Sequence, residues 1–116
     1  ARGLAAPRRR MTDITISEHD GVRSLHFGTP WVQGSMRLDD PDAIHLEYVQ
    51  RMMAWLLLRD EAEVARGHAA QLGLGAGTIT RFTAQRLRMR TTAVERDPAV
   101  VAASRLQVAL AATSAR

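Results

Sequence analysis

The sequence predicts an α/β fold, a small N-terminal antiparallel β sheet followed by the first half of a doubly wound parallel sheet. Three observations predict it. From Asp13 onward, apolar and polar residues alternate and are broken at Asp20-Gly21 and Gly28-Thr-Pro30, the period of half-buried strands joined by turns. From Asp40 to Arg59 the apolar residues recur at helical spacing. From Ala69 to Asp97 a short apolar run, a glycine cluster, a helix-like segment and a β-branched run ending in acids follow one another. That order is strand, tight turn, helix, strand, the composition of a βαβ unit.

The elements take the following form. Ile14 and Ile16 share one side of the first strand, and Thr15 and Ser17 share the other. The Asp20-Gly21 pair accepts the positive φ angles of a type I′ hairpin turn into Val22–Phe27. Trp31–Leu38 reads as a third strand, giving a sheet that is marginal by itself and needs a packing partner. That partner is a helix with Asp40 as N-cap and Pro41 in its first position, presenting Ile44, Leu46, Val49, Met52, Met53, Leu56 and Leu57. Met52, Met53 and Trp55 are assigned to the core. Asp60–Gly67 is a charged linker or a last frayed turn, and Asp97-Pro98 repeats the helix-start signal for a helix through Leu106 and Val108. The domains expected are a disordered basic leader over 1–12, the β sheet over 13–38, and a connecting helix with a partial nucleoside-binding domain over 39–116.

The glycine cluster carries the chemistry. Its spacing is Gly73-Leu-Gly75-Ala-Gly77, followed by Thr78. A dinucleotide fingerprint sets its third small residue one position further on, so no pyrophosphate is implied. The turn suits an adenosine bearing a sulfonium tail, and Glu95 at the end of the second strand suits ribose hydroxyls. Gly73, Gly75, Gly77 and Glu95 are therefore the candidate binding residues.

Composition narrows the remaining classes. The chain has 116 residues, no cysteine and a net charge of +4, which excludes disulfides and thiolate metal sites. All 16 basic residues are arginine, so no Schiff-base or P-loop lysine exists. Four arginines fall in the first ten residues, and the remainder balances its 12 acids. Nucleic-acid binding is not expected of the folded part. No apolar run approaches the roughly 18 residues of a membrane span. His19, His26, His45 and His68 lack metal-ligand spacing, and no metal is expected. Gly34-Ser35 lacks a nucleophile-elbow pattern, and Ser17, Ser24 and Ser35 read as outward strand residues. Among Asp39, Asp40 and Asp42, Asp40 reads as a cap and the others as candidates to contact an amine.

Trp31-Val-Gln33-Gly-Ser-Met36, Tyr48-Val-Gln50-Arg-Met52, the glycine turn and Val94-Glu95-Arg-Asp97, in that order, resemble the spermidine synthase family of polyamine aminopropyltransferases over about residues 13 to 106. The resemblance implies the first half of a methyltransferase-like Rossmann domain behind a small β domain. It implies transfer of an aminopropyl group from decarboxylated S-adenosylmethionine to a polyamine precursor, by a homo-oligomer; the cytoplasm is the expected location, with which the cysteine-free composition is compatible. It also implies that Gln33 touches the sulfonium nucleoside, that Glu95 holds its ribose, and that Tyr48 or Gln50 contacts substrate. At Ala76 the family carries an aspartate that binds the cationic aminopropyl or amine group, and its catalytic base lies in a later part of the domain. No catalytic residue is therefore assigned, and the chain is expected to be inactive alone. Two alternatives remain open: a small-molecule methyltransferase using S-adenosylmethionine, which Ala76 favours, and a non-catalytic interaction module.

Overall fold

The structure is a computed structural model describing residues 13–114, with side chains described from 13 to 107. The expected leader, 1–12, therefore lies outside the described residues. Strand β1 (Ile14–His19) pairs antiparallel with β2 (Val22–Phe27), Ile14 opposite Phe27 and His19 opposite Val22. The linking residues Asp20 and Gly21 have φ of 48° and 73°, the two positive angles that a type I′ turn requires. Strand β3 (Gly34–Arg37) joins the other edge of β2, Leu25 opposite Gly34. It is shorter than the expected 31–38, although Gln33 N–H donates to the Leu25 carbonyl at 2.8 Å. Trp31 is largely exposed.

This register places Ile14, Ile16, Leu25, Phe27, Gly34 and Met36 on one face. Leu25 and Met36 are fully buried there, each removal from water contributing about 1.5–3 kcal/mol. Ser17, Ser24 and Ser35 share the opposite face, as their alternation demands, yet Ser35 is buried rather than outward.

The helix expected from Asp40 is not formed at that point. Helix α1 covers only Glu47–Met52 and tightens into a 3-10 segment over Met53–Leu58. Its cap residue Leu46 is extended and supplies no side-chain acceptor. The cause is tertiary competition. The Asp40 carboxylate is taken by Arg86, and the Pro41 carbonyl accepts from Arg81 Nε at 3.3 Å, so both groups of the start signal serve long-range partners. Helix α2 (Glu61–Arg66) is separate, because the Asp60 carboxylate caps it by accepting from Ala62 N–H at 2.9 Å. Met53 is buried, but Met52 is 57% exposed, which corrects its assignment to the core.

Strand β4 (His68–Leu72) pairs in parallel with β5 (Arg90–Val94), Ala69 opposite Thr91 and Leu72 opposite Val94. Between them runs α3 (Thr78–Arg81), which widens over Phe82–Arg86 into a π turn closed by Leu87 N–H on the Phe82 carbonyl. Thr80 donates to Gln71 Oε1 at 2.7 Å, and Thr91 donates to Thr83 at 3.0 Å. These bonds seat α3 on the sheet face bearing Gln71 and Thr91, while Leu72 and Val94 face outward and are exposed. Helix α4 (Pro98–Ser114) starts where expected, Ala99 N–H on the Asp97 carboxylate at 2.9 Å, and runs past Val108. It returns to the first sheet, where buried Arg23 bonds Glu18 Oε1 through Nε at 2.6 Å and reaches the Gln107 carbonyl at 3.4 Å.

Candidate functional site

The sequence places three glycines after β4, and all three adopt the left-handed backbone that side-chain-bearing residues avoid: φ is 81° at Gly73, 55° at Gly75 and 73° at Gly77. Gly73 N–H prolongs the sheet ladder to the Val94 carbonyl at 2.8 Å, and Gly77 N–H closes the turn on the Leu74 carbonyl at 2.9 Å. Gln71 clamps the turn from the strand, donating to the Gly73 carbonyl at 2.8 Å. The N–H groups of Gly75 and Ala76 make no hydrogen bond among the described residues.

Glu95 stands behind this turn. One carboxylate oxygen accepts from Leu74 N–H at 2.9 Å and the other from Asp97 N–H at 2.8 Å. These two donors, Leu74 first, hold its carboxyl below the usual carboxylate range. Each oxygen keeps a second lone pair, so the group can accept further bonds from hydroxyls.

In front of the turn lies a cleft of about 260 Å³, lined by Gln33, Tyr48, Met52, Gln71, Gly73 and Gly75 among others. None of the residues lining it is charged. Residues far apart in the chain meet here because β3, α1 and the glycine turn converge. On the far side of the turn, Gly77 and Glu95 line a second cavity of about 490 Å³ with Arg81, Ser104 and Arg105. Leu74 borders both spaces. The candidate residues are thus divided between the two sides of a single turn. Gln50 lines neither, its amide donating to the Ile44 carbonyl at 2.8 Å.

Three contributors escaped the sequence reading. Met52 lines the cleft although periodicity assigns it to the core. Gln71 is signalled only by a polar residue between the alanines and the leucine of its strand. Arg81 gives no sequence signal, because its partners are backbone carbonyls. The aspartates nearby are engaged elsewhere, Asp39 with Arg37 and Asp40 with Arg86.

Ala76 is buried, 4% exposed, within a core cluster containing Leu25 and Ala103. A Cβ on Gly34 would overlap the Ala76 methyl. The absence of a side chain at position 34 is what lets β3 approach the turn.

The fold and cleft together define an α/β protein whose βαβ unit presents a glycine turn, backed by a strand-end carboxylate, to an uncharged cleft. Comparison with known proteins narrows this. The chain is 39% identical over 105 residues to the polyamine aminopropyltransferase of Neisseria meningitidis serogroup A, and equally to that of serogroup B. It is 40% identical over 96 residues to the polyamine aminopropyltransferase of Chromobacterium violaceum. These matches cover 90% and 82% of the chain but 39% and 35% of the relatives, so the chain spans under two fifths of their length. These similarities support a relationship of the chain to the spermidine synthase family of polyamine aminopropyltransferases. No family model matches it, and no solved structure matches it.

Proposed function

We propose that this chain forms the nucleoside-binding part of an aminopropyltransferase, taking decarboxylated S-adenosylmethionine as the donor to a polyamine acceptor. The observation that carries the reading is the convergence of Gln33, Tyr48 and the glycine turn on one cleft, with Glu95 bonded to Leu74 of that same turn. In this reading the donor spans the turn at Leu74, which borders both cavities, with its sulfonium end on the Gln33 side and its ribose hydroxyls reaching Glu95 on the other. The Gly75 N–H, which has no partner among the described residues, is the donor offered to the ligand from the turn. The parallel sheet belongs to a Rossmann-like half-domain behind the small antiparallel sheet, and the chain assembles as a homo-oligomer.

Calorimetric titration tests the proposal. Decarboxylated S-adenosylmethionine and methylthioadenosine are expected to bind more tightly than S-adenosylmethionine, and Glu95→Ala is expected to weaken binding by about 1–3 kcal/mol. Absence of methylthioadenosine binding by the wild-type chain overturns the reading, as does an unchanged affinity in Glu95→Ala.

One observation favours a second reading, methyl transfer from S-adenosylmethionine. Position 76 offers no anionic group to an ammonium, since its side chain is a buried methyl. Incubation with donors labelled in the methyl or the aminopropyl group separates the two readings by which label reaches the acceptor.

A further inference from the structure

We propose that Arg81 is a positioning residue that fixes the peptide plane following Ala76 and thereby sets the shape of the nucleoside cradle; the functional half of this claim rests on the reading above. Helical side chains lean toward the N-terminus of their helix, and Arg81, in the last position of α3 before it widens, leans back over the glycine turn. Its Nη1 donates to the Ala76 carbonyl at 2.8 Å, and its Nε donates to the Pro41 carbonyl at 3.3 Å. One planar guanidinium thus ties the glycine turn to the segment that follows the first sheet. Two carbonyls held at fixed angles need this fork, which an ammonium does not reproduce.

The surroundings agree with a positioning role. Arg81 borders the cavity shared by Gly77 and Glu95 and is absent from the lining of the cleft that contains Gln33, and both Arg81 guanidinium bonds go to protein carbonyls, so toward the Gln33 cleft it acts through the turn. Its Nη2 is buried and has no hydrogen-bond partner, an expensive arrangement for a cation. Asp42 is the acid whose field acts on it. A Cβ on Gly77 would crowd Nη1 and overlap the Ser104 hydroxyl. The glycine and the arginine therefore fit against each other: the bare backbone at 77 leaves the space through which the guanidinium reaches the carbonyl at 76. With that carbonyl occupied by Arg81, the Ala76–Gly77 peptide cannot flip without losing the bond.

The test compares wild type with Arg81→Met, which keeps the bulk and removes the donors, and with Arg81→Lys, which keeps the charge but cannot hold both carbonyls. Methylthioadenosine affinity, amide exchange at Leu74 and Gly77, and the thermal midpoint are measured, with binding read well below each midpoint. Arg81→Met is expected to bind about tenfold more weakly and to exchange faster at both amides, with Arg81→Lys intermediate in both readouts. A folded Arg81→Met with wild-type affinity or wild-type exchange at the turn overturns the proposal. So does Arg81→Lys indistinguishable from wild type, which also decides the matter if Arg81→Met does not fold. Failure of the wild-type chain to bind methylthioadenosine sinks the nucleoside reading, and the exchange measurements then still decide whether Arg81 holds the turn.

Discussion

At the scale of single residues, Glu95 shows how one side chain serves both structure and site. Its carboxylate gathers the N–H groups of Leu74 and Asp97, which are charge-assisted bonds that favour the ionised form. The folded-state pKa is therefore depressed relative to an unfolded value of about 4.3. Its contribution to stability is complete above that unfolded value and disappears as pH falls through the lower folded value. Comparing urea unfolding of wild type and Glu95→Gln from pH 7 downward should show wild type more stable at neutral pH and the two converging in acid. A constant gap across this range removes the assigned cause. Glu95 was legible in the sequence as a strand-end acid, because its position follows from the periodicity of β5. Its two backbone partners were not, since bonds to peptide groups leave no trace in side-chain pattern.

At the scale of elements, the hairpin, the βαβ unit and the Asp97-capped helix were legible because short-range rules decide each of them: a two-residue turn, glycines at positive φ, and a cap followed by proline. The connecting helix was misjudged for the opposite reason. Asp40-Pro41 has the local chemistry of a helix start, but Arg86 and Arg81 claim the carboxylate and the carbonyl, and tertiary bonds override local preference. Met52 followed from this error, since a short α1 ending in a 3-10 segment turns it toward the cleft. The seam between β3 and the glycine turn supplies the prediction at this scale. Gly34→Ala places a methyl against that of Ala76, and overpacking of this kind costs about 1–3 kcal/mol. A lowered midpoint in chemical denaturation, with weaker methylthioadenosine binding, is the expected result. An unchanged midpoint shows that the seam yields freely.

At the scale of the whole molecule, two sheets are joined by α4, which leaves β5 and returns to the first sheet through Arg23 and Gln107. Among the described residues the parallel sheet has two strands only. Leu72 and Val94, opposite each other in register, are 90% and 61% exposed on its outer face. Apolar side chains on such a face beside unpaired strand edges favour association. Sedimentation velocity over a concentration series should show the wild-type chain associating and Leu72→Glu doing so less; identical profiles place the contact elsewhere. No helix among the described residues is long and apolar enough to cross a membrane.

The meeting of Gly34 with Ala76 has a consequence for redesign. An engineer who introduces an acid at position 76 does not add a carboxylate to open solvent, because that side chain lies among Leu25 and Ala103. The new group would have to be accommodated by sliding the first sheet away from the corner. The side chain at position 76 and the spacing between the two sheets are therefore one variable, to be altered together in any directed-evolution library.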